Sequence, residues 1–164
     1  IDAQVPGLWG YCCCAQSSLV PNRFFAMESA RNRIMGVLMY LYGIKGFLHW
    51  GYNFYNSKFS LHPVDPYRVT HADYAFPSGD PFLVYPGPDG APLSSVRAEV
   101  QDDALLDLRA LQLLEQLAGR AFVEELIYAD AEMRPMTFRD YPRGAGYLLA
   151  LRERVAAEIE SRLA

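Results

Sequence analysis

Apolar residues recur along this chain with two different spacings, and the alternation between them predicts the elements. Leu8 to Cys14 is a short apolar run bounded by Pro6-Gly7, the pattern of a buried strand. Ala30, Ile34, Val37, Leu38 and Leu41 then form one helical stripe, which predicts a helix over 29–42 with Gly43 as its stop. Gly46 to Gly51 predicts a second strand, bounded by glycines. Residues 54–80 carry no helical period and contain Pro63, Pro66 and Pro77, so they read as a long loop of the kind that usually carries function. Phe82 to Tyr85 predicts a third strand, stopped at Pro86-Gly87.

The second half is helical. Ser94 is the predicted N-cap of a helix whose Val96, Val100, Ala104, Leu108, Leu111, Leu114 and Ala118 hold the helical period as far as Gly119. A shorter helix follows around 122–128. The last runs over about 146–163, with Leu148, Leu151, Val155, Ile159 and Leu163 on one face. Short apolar strands alternating with amphipathic helices predict an α/β fold with a parallel sheet under helices. Three strands cannot close a barrel, so the pattern suits either a small open sheet or the tail of a larger unit.

Composition changes this picture little. Of 164 residues, 51% are apolar and 21% charged, which suits one packed core. A net charge of −4 gives no pull toward nucleic acid or an anionic membrane. No apolar run approaches the roughly 18 residues that a membrane-spanning helix needs. The chain starts at Ile1 with no leader pattern after it, and the natural N-terminus is expected to lie upstream. Cys12, Cys13 and Cys14 are contiguous and odd in number, a poor disulfide framework, and His49, His62 and His71 have no metal-ligand spacing. Neither metal nor cofactor is expected.

Candidate chemistry follows from the strand ends. In a (β/α)₈ barrel the working face lies at the C-terminal ends of the strands and the opposite face serves stability. Tyr11 and the cysteines end the first predicted strand, Trp50, Tyr52 and Asn53 the second, and Tyr85 the third. Asp80 precedes the third strand and is expected on the stability face, where it would matter for folding alone. His49 to Asn56 is dense in aromatic and amide groups, which suit the faces and hydroxyls of a sugar ring. The alternative is that these rings pack under neighbouring loops. Glycoside hydrolysis by acid–base catalysis needs two flanking carboxyl groups unless the substrate supplies one function itself. No such pair stands at the predicted working ends: Glu28 opens a helix, Asp65 and Asp73 lie in the long loop, and Asp89-Gly90 reads as a turn. Nucleophile elbows, phosphate loops and metal-ligand helices are absent too.

Several segments carry a resemblance. They are Pro21-Asn22-Arg23-Phe24, Ala30-Arg31-Asn32-Arg33, Gly46-Phe47-Leu48-His49-Trp50-Gly51-Tyr52-Asn53, Phe76-Pro77-Ser78-Gly79-Asp80, Phe82-Leu83-Val84-Tyr85-Pro86-Gly87, Ser95-Val96-Arg97 and the stretch 104–115. Over roughly residues 8 to 128 the chain resembles the C-terminal catalytic-region domain of relatives of glycoside hydrolase family 123. That resemblance implies the C-terminal portion of a (β/α)₈ barrel, with 1–128 supplying closing strands and helices and 129–164 a connector and helix on the same domain. It also implies a β-N-acetylgalactosaminidase-like enzyme, in which the substrate's acetamido group is the nucleophile and an upstream Asp-Glu pair orients it and supplies the acid. This chain alone would then be inactive. Trp50, Tyr52, Asn53 and Tyr11 match positions expected to line the sugar site, and Arg23 and Arg97 match the pattern as well. The implied partners are a glycan with a terminal N-acetylhexosamine and the N-terminal part of the same barrel, with no nucleic acid and no membrane. Two other classes stay open: a carbohydrate-binding module without hydrolysis, and a structural element whose helices 94–118 and 146–163 dock another chain.

Overall fold

The computed structural model describes residues 7–164. Pro6, half of the predicted boundary of the first strand, lies outside the described residues. The fold is mixed α/β, with few, short strands and five helices among the described residues.

Strand β1 (Trp9–Tyr11) and strand β2 (Gly46–Leu48) pair in parallel, with Trp9 opposite Gly46 and Tyr11 opposite Leu48. Gly46 lets the Trp9 indole lie directly over it, since a Cβ there would displace that ring. Between the two strands the predicted single helix is divided into α1 (Ser29–Arg33) and α2 (Met35–Leu41) by a tightened turn at Ile34. α2 ends as the glycine predicts. Gly43 takes φ 64° and donates to the Tyr40 carbonyl, while Ile44 donates to Met39. This is a Schellman cap, and its residue after the glycine, Ile44, is buried.

The third strand departs from expectation. β3 (Val84–Pro86) does not extend the parallel sheet; it pairs antiparallel with β4 (Pro92–Ser94). The reason is local: Gly87 donates to Ala91 at 2.8 Å and Gly90 takes φ 75°, so the Pro88-Asp89-Gly90 turn folds the chain straight back into a hairpin. The expectation of about three parallel strands is corrected to two, plus this hairpin.

Helix α3 (Val96–Ala118) is capped by Ser95, whose hydroxyl accepts from the Ala98 N–H at 3.3 Å, and not by Ser94. α4 (Arg120–Tyr128) follows across Gly119, and α5 (Ala145–Leu163) closes the chain. α3 is the hub, packing against α1, α2, α4 and α5. It meets α2 backbone to backbone, since a Cβ on Gly36 would land within the Ala104 carbonyl. Beside that crossing, Arg33 grips Asp107 through two bonds of 2.7 and 3.1 Å, and this largely buried pair ties α1 to α3. Ile34, Val37, Leu38, Leu111, Leu114, Ile127 and Leu148 form the centre of the core.

These helices cover one face of the β1–β2 pair. Gly10 and Phe47 face them, with Phe47 packed on the core. The other face is bare and apolar: Trp9 is 64% exposed, Tyr11 50% and Leu48 49%.

Candidate functional site

The residues after β2 do not leave the sheet freely; a second segment returns across them. Leu83 donates to the Tyr52 carbonyl at 2.9 Å, Phe54 donates to the Pro81 carbonyl at 3.0 Å, and Asn53 bridges Phe82 in the antiparallel sense. The approach is so close that a Cβ on Gly51 would stand 2.6 Å from the Asp80 carbonyl oxygen and 2.7 Å from that of Pro81. Glycine is therefore dictated at position 51 by contact with a neighbouring backbone.

This reversal overturns the expected position of Asp80. Its Oδ2 accepts a hydrogen bond of 3.1 Å from the Trp50 indole Nε1, so it lies against the C-terminal end of β2 and not at the opposite end. The strand-end rule fails because 80–84 runs antiparallel to 51–54, which brings the start of one segment to the end of the other. Asp80 is 0% exposed, and burial pushes its carboxyl up to about 6, against the opposing pull of Trp50 and the Arg23 guanidinium. Phe54 and Phe76 pack against the Trp50 ring, with centroids at 5.3 and 4.7 Å.

Arg23 lies beneath this site and not on its surface. It is 2% exposed, stacks over the Phe47 ring at 4.7 Å, and its Nε and Nη1 have no protein partner. Burial is the main cause that lowers its guanidinium to about 10. Asn22 sets the turn beside it, donating to the carbonyls of Cys13 and Gln16 at 2.9 and 2.8 Å. Arg97 is also drawn inward: its Nη1 donates to the Gly79 carbonyl at 2.6 Å and its guanidinium covers Phe25 at 4.6 Å. Burial lowers its pKa. His49 is pushed down to about 3, first by burial and then by Arg23 and Arg97. It is thus neutral at ordinary pH. Because Nδ1 accepts from the Gly51 N–H at 3.2 Å, its proton sits on Nε2.

The sequence-predicted residues come together in part. Tyr11, at the end of β1, feels the charge of Asp80, and its phenol is raised to about 12 by desolvation and by Cys13. Trp50 binds the same carboxyl. Asp80 is therefore where the ends of β1 and β2 meet. Tyr52 and Asn53 face solvent. Tyr52 also lines, with Phe47, His49, Gln101, Glu99 and Asp102, a cavity of about 420 Å³, within the range of small-ligand sites. Glu99 and Asp102 belong to the polar side of α3 and have no signal of their own in the helical pattern. The β3–β4 hairpin, whose Ser94 pairs with Val84, leads into α3 and brings its first turns beside Tyr52. Cys12 to Cys14 are free thiols, those of Cys12 and Cys14 raised by burial. Among the described residues no group of three or more His, Cys, Asp or Glu side chains could hold a metal ion, and no helix is long and apolar enough to cross a membrane.

Sequence comparison agrees with this arrangement of motifs. None of the curated proteins compared with the chain matches it. The family model of the glycoside hydrolase 123 catalytic domain matches residues 2–114, which takes in β1, β2, the return segment, the β3–β4 hairpin and most of α3. The chain belongs to the glycoside hydrolase 123 family, through its catalytic domain.

Proposed function

We propose that this chain forms the closing, sugar-facing portion of a (β/α)₈ barrel in a hydrolase of N-acetylhexosaminides, N-acetylgalactosamine glycosides foremost. The observation that carries the reading is the one-sided sheet. Parallel strands are ordinarily covered on both faces, yet the face of β1 and β2 away from the helices presents Trp9, Tyr11 and Leu48. A barrel interior supplied by further strands is the cover that suits it, and its C-terminal end is where Trp50, Tyr52, Asn53 and Tyr11 would meet the sugar. Residues 1–128 are then barrel, and 129–164 a connector and helix on the same domain.

In this reading the acetamido oxygen of the substrate attacks its own anomeric carbon, and an upstream Asp-Glu pair orients the acetamide and protonates the leaving oxygen. Trp50 and Tyr52 offer ring faces, Asn53 offers both donor and acceptor, and Arg23 supports them from below. No cofactor or metal is needed.

The test is an assay of the 164-residue protein against aryl N-acetylgalactosaminides beside calorimetric binding of N-acetylgalactosamine. The expected result is binding without turnover, with Asn53→Ala weakening binding by about 1–3 kcal/mol, the loss of a hydrogen-bonded partner. Turnover that vanishes on changing a residue within this chain would refute the division of labour. Failure to bind any N-acetylhexosamine would refute the substrate.

A further inference from the structure

The carboxyl of Asp80 stands out among the buried groups because it does not serve the core. Its Oδ2 is spent on the Trp50 indole and its Oδ1 has no protein partner. Both chain segments are also built to make that contact. Gly51 lets the backbone after Trp50 lie on the Asp80 and Pro81 carbonyls. Gly79, at φ 90°, turns the chain into Asp80 at a point where a Cβ would meet the Phe25 ring. Arg97 fastens the turn by bonding the Gly79 carbonyl. Phe54 and Phe76 pack against the indole with centroids at 5.3 and 4.7 Å and planes tilted by 57° and 55°.

We infer that Asp80 is the positioning residue of the site, fixing the direction in which the Trp50 ring presents its face to a sugar. A hydrogen bond to Nε1 is directional, whereas the aromatic contacts alone tolerate several ring settings. The groups that face the carboxyl are Arg23 from the 21–24 segment, Tyr11, Cys12 and Cys14 from β1 and the turn after it, and Trp50 from the end of β2. Arg23 is the only one among them that carries charge at neutral pH. Asp80 loses its proton at about 6, so the bond to Nε1 passes from a neutral acceptor to a charged, stronger one as pH rises through that value. The geometry of this inference is independent of the proposed substrate; only its consequence for sugar binding rests on that reading.

The experiment uses the Trp9→Phe protein, in which Trp50 is the sole indole. A carboxylate at the Nε1 end of an indole favours its excited-state dipole, so emission should move to the blue as pH falls through about 6. Adding Asp80→Asn keeps an acceptor for Nε1 but cannot ionise, and should abolish that transition. Adding Asp80→Ala removes the acceptor and should erase the near-ultraviolet dichroism of Trp50 while the far-ultraviolet spectrum stays unchanged. N-acetylgalactosamine affinity should fall roughly tenfold in the alanine variant, the scale of one lost positioning bond, and less in the asparagine variant. Emission of the Trp9→Phe protein that is flat with pH overturns the inference, and so does dichroism indifferent to Asp80→Ala. If Asp80→Ala fails to fold, the pH titration of the Trp9→Phe protein decides alone. If the transition is present and no N-acetylhexosamine binds the unaltered protein, the proposed substrate falls while the role of Asp80 stands.

Discussion

Replacing Asp80 by Asn should stabilise the protein at neutral pH, the reverse of what its place in the sequence suggests. The native carboxyl ionises at about 6 and the ordinary value is 3.8, so the folded protein holds a proton that the unfolded chain has already released. A raised carboxylate pKa gives stability that is complete below the unfolded value and is lost as pH rises through the folded one. The difference of 6 and 3.8 is about two pH units, or about 3 kcal/mol at roughly 1.4 kcal/mol per unit. Asp80 has no exposed surface but lies at moderate depth, so about 3 kcal/mol is the upper end of this cost. The asparagine variant carries no such term. Its advantage over the parent should be near zero at about pH 4 and grow to about 3 kcal/mol by about pH 8. For a chain of this length that corresponds to a rise in Tm of about 6–12 °C. Paired urea titrations of the two proteins at a series of pH values give the difference directly, and the shared acid sensitivity of other groups cancels. A difference that does not change with pH would refute the argument. So would one that shrinks as pH rises, because it would mean that Arg23 outweighs burial and holds the carboxyl below its ordinary value.

Two further outcomes follow from packing. Gly36→Ala should destabilise the protein by about 1–3 kcal/mol in urea unfolding despite the better helix propensity of alanine, because the added methyl must push α2 away from the Ala104 carbonyl; a variant as stable as the parent would show that the helix crossing gives way freely. Asp107→Ala should cost about 3 kcal/mol or more by leaving the Arg33 guanidinium enclosed without its partner, and the paired change Arg33→Met with Asp107→Ala should recover part of the loss in a double-mutant cycle.

The helices and the first two strands were legible because each buries one face against the same core, and that demand writes a period into the sequence. Val96 to Ala118 and its glycine stop are the clearest case. Gly43 announced the end of α2 for a different reason, since the cap needs a left-handed residue. The β3–β4 hairpin was not legible, because Pro92, Leu93 and Ser94 are all exposed and no alternation marks them as a strand. The end of β2 holds Trp50, Tyr52 and Asn53, with Trp50 bonded to Asp80 and the other two exposed. Its most buried acid was misplaced, because a rule for parallel strands was carried onto a segment that runs antiparallel. Arg23 matched the family pattern, but a buried supporting arginine and a ligand-facing one have the same letter. Glu99 and Asp102 were hidden for a related reason: on the polar side of a helix, an acid that lines a cavity spaces like any solvated one.

The hub position of α3 bears on how this protein can be divided. The family segment ends at residue 114, one turn short of the end of α3, and α4 and α5 lie beyond it. Leu108, Leu111 and Leu114 nonetheless share their core with Val123, Ile127, Leu148, Leu151 and Val155. The stretch that matches the family and the stretch that folds as a unit thus have different edges. A gene trimmed to the recognisable part would yield a protein with an apolar stripe left open along its longest helix, prone to stick to itself. Transplanting the loops after β2 into another scaffold, or exchanging them with a relative, therefore calls for carrying the chain through Leu163 rather than stopping where the likeness stops.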